Sequence, residues 1–202
     1  GLKARGTYDD TLVIVCADHG EYLGEHGLVE HSKDVYQEAI HVPLVVKSPR
    51  QRQANVVHRP VSLTQVPATV LPWAGLEKEA LPPALHVHQH GHPIIAENYF
   101  SRDWDFTDPR WAGRFDRIRT ALYEGSWKYI HSTDGADALY NLDTDPNEQD
   151  NQKAEEPDRF QAMRSRCVAA IATYRKANPE ASDDVDVPPE STQDELRALG
   201  YL

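Results

Sequence analysis

Residues 11–17, TLVIVCA, are almost continuously apolar and rich in β-branched side chains, then give way abruptly to Asp18-His19-Gly20. An unbroken run of this length suits a strand buried on both faces of a mainly parallel sheet, central rather than at an edge. His41–Lys47 (HVPLVVK) is a second extended run, with Pro43 at its beginning, and Asp34–Ala39 between the two reads as a short helix. In SLTQVPATVLPWAGL (62–76), Leu63, Val66, Val70 and Leu71 recur at helical spacing and Gly75 supplies a stop. Pro93–Ala96 forms a third apolar run that ends in Glu97.

The texture then changes. After the aromatic and charged stretch YFSRDWDFTDPRWAGRFDR come the short runs IRTALYEGSWKYIHS and ADALYNL, broken at Glu124-Gly125 and Asp134-Gly135, which predict an antiparallel sheet with tight turns. Phe160, Met163, Cys167, Ile171 and Tyr174 share one helical face, so residues from Pro157 to Asn178 form an amphipathic helix packed on that sheet. PEASDDVDVPPEST reads as a solvated linker that includes Asp183, Asp184 and Asp186, and QDELRALGYL as a short terminal helix or tail. The fold class is therefore α/β, a partial mixed or parallel sheet with helices followed by a small antiparallel sheet packed on a C-terminal helix. The boundaries fall at 1–115, 116–180 and 181–202.

A net charge of -11 argues against a nucleic-acid partner or an anionic membrane surface, either of which requires clustered Lys and Arg. A bound metal would still let an acidic protein hold an anion locally. No apolar stretch approaches the ~20 residues that span a bilayer. The two cysteines, Cys16 and Cys167, give no disulfide framework and no paired metal motif, and both read as small core residues.

The chemistry concentrates at the end of the first strand. Ligands of open α/β sheets gather beyond the carboxyl ends of strands, and there Asp18 offers a hard oxygen, His19 an imidazole nitrogen and Gly20 a tight turn. Taken alone, the tripeptide is equally a polar strand end entering a turn. Over a longer span, TLVIVCADHGEYLGEHGLVEHSKDVYQEAIHVPLVVKSP closely resembles the sulfatase family of the alkaline-phosphatase-like superfamily, in the order of its apolar strand, Asp-His-Gly, Gly-Glu-His-Gly-Leu loop, Tyr-x-Glu helix and Val-Pro-Leu. VSLTQVPATVLPWAGL resembles the family's following helix, RTALYEGSWKYIHSTDGADALYNLDTDPNEQDN its C-terminal antiparallel subdomain, and DELRALGYL a frequent ending.

The resemblance implies that Asp18 and His19 bind a divalent cation, calcium first, with manganese or zinc admitted by the imidazole. It implies that His31 contacts the sulfate and the leaving oxygen, with Lys33 as the competing residue and His26 shaping the loop. The family's nucleophile motif, Cys or Ser followed by x-Pro-x-Arg and converted to formylglycine, does not occur in these residues. On the resemblance, that motif and the remaining metal ligands lie upstream, so the chain is the C-terminal portion of such an enzyme and carries half of a metal site. The expected partners are a sulfate-ester substrate and the missing N-terminal half or a partner chain. Dimerisation or a remodelled fold would equally cover the exposed strand edges. Isolated, the chain would be inactive; a periplasmic or secreted location fits the family. The rival readings are hydrolysis of phosphate or phosphonate esters, and a non-catalytic binding or assembly module. His86, His88, His90 and His92 alternate in HVHQHGH and read as a solvated loop or an adventitious metal row, and Trp104, Phe106 and Trp111 as pocket-edge or packing residues.

Overall fold

The computed structural model describes residues 1–76, 85, 93–99 and 113–177. The histidine row at 86–92, the aromatic cluster Trp104, Phe106 and Trp111, and the linker and tail beyond residue 177 lie outside the described residues. Strand β1 (Val13–Cys16) occupies the first apolar run and pairs with β4 (Leu44–Lys47), from Val13 opposite Lys47 to Cys16 opposite Leu44. Between them lie a short ribbon, β2 (Tyr22–Leu23) with β3 (Val29–Glu30), and one turn of helix, α1 (Gln37–Ile40). Helix α2 (Gln65–Val70) runs into a 3-10 turn, Leu71–Ala74, closed by Gly75 in the left-handed region at φ 69, as expected of a glycine stop.

The expected parallel sheet is not found: every strand pairing among the described residues is antiparallel. The connection from β1 to β4 explains this. It folds out through the ribbon and back through α1, which delivers β4 alongside β1 in the opposite direction instead of crossing over in the manner of a βαβ unit. Nor is β1 central among the described residues, where β4 is its one partner. The apolar run is accordingly not buried on both faces: Val15 is 58% and Val45 61% exposed. Cys16, expected in the core, is exposed for the same reason, whereas Cys167 is buried as expected.

The second sheet is a meander in sequence order: β5 (Ile94–Asn98), β6 (Arg119–Glu124), β7 (Trp127–Ser132) and β8 (Ala138–Asn141). Gly125, at φ 60, takes the first central position of the two-residue turn between Glu124 and Trp127, where a II′ hairpin calls for glycine. On one face Leu122, Tyr129 and Leu139 pack against Met163 and Cys167 of α3 (Pro157–Ala177), with Phe160 and Ile171 alongside. Pro157 opens that helix, and Asp158 in its first turn and Arg175 and Lys176 in its last complement its dipole. Each of Leu122, Leu139 and Met163 is fully buried, at about 1.5–3 kcal/mol of transfer energy per side chain.

The opposite face positions the site. Ala121, Ile130, Ala138 and Tyr140 pack on Val35, flanked by Tyr36 and Ile40, so the segment entering α1 lies on the meander. Charged groups are buried in this contact. Asp34 accepts Arg119 Nε at 3.1 Å and Arg117 Nη2 at 3.0 Å, and the fully buried Lys128 and Glu148 meet at 2.6 Å. Burial pushes the Lys128 ammonium down and the Glu148 carboxyl up, and the attraction between them opposes both shifts. A third cluster, Tyr22, Leu28, Ala39 and Phe115, fastens the ribbon to α1.

Candidate metal and ester site

Asp18, His19 and Gly20 follow β1 after Ala17, and their geometry is dictated by glycine. Gly20 N–H donates to Ala39 C=O at 2.7 Å, and a Cβ at position 20 would stand 2.0 Å from the Glu38 carbonyl oxygen. Only a residue without a side chain lets the strand end press this closely on α1. The Asp18 carboxylate accepts the His19 backbone N–H at 3.0 Å, which fixes its orientation.

The ribbon brings a second imidazole to the same place. Tyr22 points inward, and its hydroxyl accepts the Tyr36 N–H at 3.1 Å. Burial, with Asp34 nearby, pushes the Tyr22 hydroxyl well above its ordinary range, so it stays protonated. His26, Glu30 and Ser32 all hold positive φ, at 53°, 64° and 60°, in a stretch where only the glycines favour it. Such backbone is costly for residues with side chains and concentrates where a site demands a particular path. That path sets the ring of His31 against the ring of His19, stacked with centroids 4.2 Å apart. His26, expected to shape the loop, lies flat on Tyr36 at 3.8 Å and 10% exposed, its Nε2 3.5 Å from Glu38.

The hydrogen bonds settle which ring nitrogens carry protons. His19 Nδ1 lies 3.0 Å from the Gly20 carbonyl oxygen, which only accepts, so Nδ1 is the donor and, in the neutral ring, Nε2 presents its lone pair. That Nε2 stands 3.9 Å from Asp18 Oδ2. One ion bonded at about 2.0–2.2 Å to each atom, or at about 2.3–2.6 Å as calcium requires, can touch both. Asp18 and His19 therefore fit a divalent cation, and a mixed oxygen and nitrogen donor set suits manganese or zinc as well as calcium.

His31 Nδ1 lies 2.7 Å from Glu21 Oε1. Glu21 is the residue that sequence reasoning missed. Its ligand atom and those of His19 and His31 lie within 4.8 Å of one another, a second set able to hold a cation. The available signal was its place beside Asp-His-Gly, directly before the Tyr22 anchor. Lys33, the competitor of His31, is 2% exposed, with its ammonium 5.7 Å from the centre of the Phe115 ring and 3.7 Å from Glu30 Oε2. The structure thus gathers Asp18, His19 and His31 with Glu21 and packs Lys33 against Phe115.

Residues 1–76 match the sulfatase family model. Arylsulfatase K of Mus musculus is 29% identical over 177 residues, covering 83% of this chain and 31% of that protein. The crystal structure of the phosphonate monoester hydrolase of Agrobacterium radiobacter superposes with a TM-score of 0.66 at 23% identity, covering 85% of this chain and 37% of that one. A putative sulfatase of Bacteroides thetaiotaomicron gives 0.65 at 19% identity, covering 92% of this chain and 41% of that one. The chain spans about a third of the length of the curated relatives it matches. Over its first 76 residues the chain matches the sulfatase family, and along most of its length it is similar to sulfatases of which it covers a part.

Proposed function

We propose that the protein to which this chain belongs hydrolyses sulfate esters, and that Asp18, His19 and His31 are its contribution to the reacting centre. The observation that carries this reading is the stacking of His31 on His19, at 4.2 Å, just beyond the end of β1. It brings a cation-binding pair and a proton-bearing ring within reach of one small anion.

A divalent cation held there would neutralise the charge that develops on the sulfate oxygens. The chain's own groups do the rest of the local work. Gly20 C=O holds the proton on His19 Nδ1 and keeps Nε2 available as a ligand. Asp18, fixed by the His19 N–H, supplies the oxygen beside it. Glu21 accepts the Nδ1 proton of His31, which orients that ring so that a proton on Nε2 can pass to the departing ester oxygen. The formylglycine nucleophile and the remaining ligands belong, in this reading, to the remainder of the protein.

The test is turnover by the intact gene product of p-nitrophenyl sulfate against p-nitrophenyl phosphate, after removal of metal and after return of calcium or manganese. Metal-dependent sulfatase activity that falls by about 100-fold or more in Asp18→Ala and His31→Ala supports the reading. A preference for the phosphate ester turns it to the phosphatase alternative. No metal-dependent hydrolysis of either, with Asp18→Ala indistinguishable from wild type in metal binding, favours a non-catalytic module.

A further inference from the structure

Lys128 and Glu148 are both completely buried, yet neither belongs to the apolar core of the meander. Lys128 Nζ donates to the Val35 carbonyl at 2.6 Å, and Glu148 Oε2 accepts the Gln37 N–H at 2.6 Å. Tyr123, on the neighbouring strand, donates its hydroxyl to Gln37 Oε1 at 2.5 Å. The ion pair therefore grips the backbone on either side of Tyr36, where the chain enters α1. Directly after Gln37, Glu38 and Ala39 present the carbonyls that confine Gly20, Ala39 by the 2.7 Å hydrogen bond and Glu38 by close approach. Gly20 adjoins His19 and accepts its Nδ1 proton.

A buried ion pair is a poor source of stability, because desolvation offsets most of the attraction, and apolar replacement of such pairs is often neutral. This one instead supplies two directed bonds to main-chain groups of a one-turn helix too short to stand alone. We infer that Lys128 and Glu148 are positioning residues for the Asp18–His19 site, acting through Val35, Gln37, Ala39 and Gly20. The inference rests on the proposed metal-binding role of that pair only for its second readout.

The experiment uses the intact gene product and reads two quantities: amide hydrogen exchange at Gly20, and Mn2+ affinity by electron paramagnetic resonance, both well below the unfolding temperature. In Glu148→Leu, which removes the acceptor, Gly20 should exchange at least tenfold faster and Mn2+ should bind about tenfold more weakly, as when a group that orients a metal ligand is lost. Glu148→Gln retains an oxygen for Gln37 N–H and should restore both. A folded Glu148→Leu protein with wild-type exchange and affinity overturns the inference.

If that variant does not fold, exchange in the wild type decides, because Gly20 and Gln37 should open together with one denaturant dependence. Opening of Gly20 while Gln37 stays closed overturns the inference. If wild type binds no Mn2+, the metal reading has failed, and the Gly20 exchange still judges the positioning role.

Discussion

The rings of His19 and His31 stack with their centroids 4.2 Å apart and their planes 30° from parallel, although one ends a strand and the other leaves a ribbon. Two imidazoles this close keep a defined arrangement only if their protons are assigned. Gly20 C=O assigns one and Glu21 the other. Nitrogen-15 spectra should show both rings, when neutral, in the Nδ1–H form. Glu21→Ala should release His31 to a mixture of tautomers and leave His19 as it was.

Gly20→Ala tests how closely the strand end is pressed on α1. The new Cβ meets main-chain oxygen at 2.0 Å, where no side-chain rotation offers relief. A loss of about 1–3 kcal/mol in denaturant unfolding is expected, as for other overpacked sites.

Asp34 accepts two guanidinium groups and its own neighbour's N–H, Val35 N at 2.8 Å, while 4% exposed. Asp34→Ala leaves Arg119 buried without that partner and should cost about 3–5 kcal/mol. Asp10→Ala, which removes the exposed partner of Arg50, should leave the unfolding midpoint unchanged within error. Parallel urea titrations of the two variants give the comparison.

Acid should loosen the turn after β7. Burial alone would raise the Asp134 carboxyl, but the Ser132 hydroxyl, the Ala136 N–H and Arg117 together outweigh it and hold it well below its ordinary value of 3.8. A folded value below the unfolded one contributes stability that is complete above about pH 5 and disappears as the pH falls through 4 and below. Between pH 6 and pH 3, wild type should therefore lose more stability than Asp134→Asn, as read from thermal midpoints at each pH.

The amphipathic helix and the hairpins were legible because each is a local pattern: Met163 and Cys167 recur on one face, and Gly125 marks a two-residue turn. The proposed site residues Asp18, His19 and His31 stand out by their order along the first loop, whereas nothing local marks Glu21, which the ribbon brings onto His31. The strand TLVIVCA keeps one neighbour among the described residues of a chain that spans about a third of its relatives' length. Its composition asks for burial on both faces, and the described residues give it one antiparallel neighbour and leave Val15 and Cys16 exposed. Lys128 and Glu148 lay beyond local reading altogether. Their partners are 93 and 111 residues away, and nothing in the charge pattern distinguishes them from solvated side chains.

The central claim is that the end of β1 holds a divalent cation for ester hydrolysis, and its most direct measurement is Mn2+ binding to the intact gene product beside its Asp18→Ala variant. The account predicts one site whose affinity falls by at least tenfold in the variant, with competition by calcium. Equal Mn2+ affinity in the two proteins would contradict it.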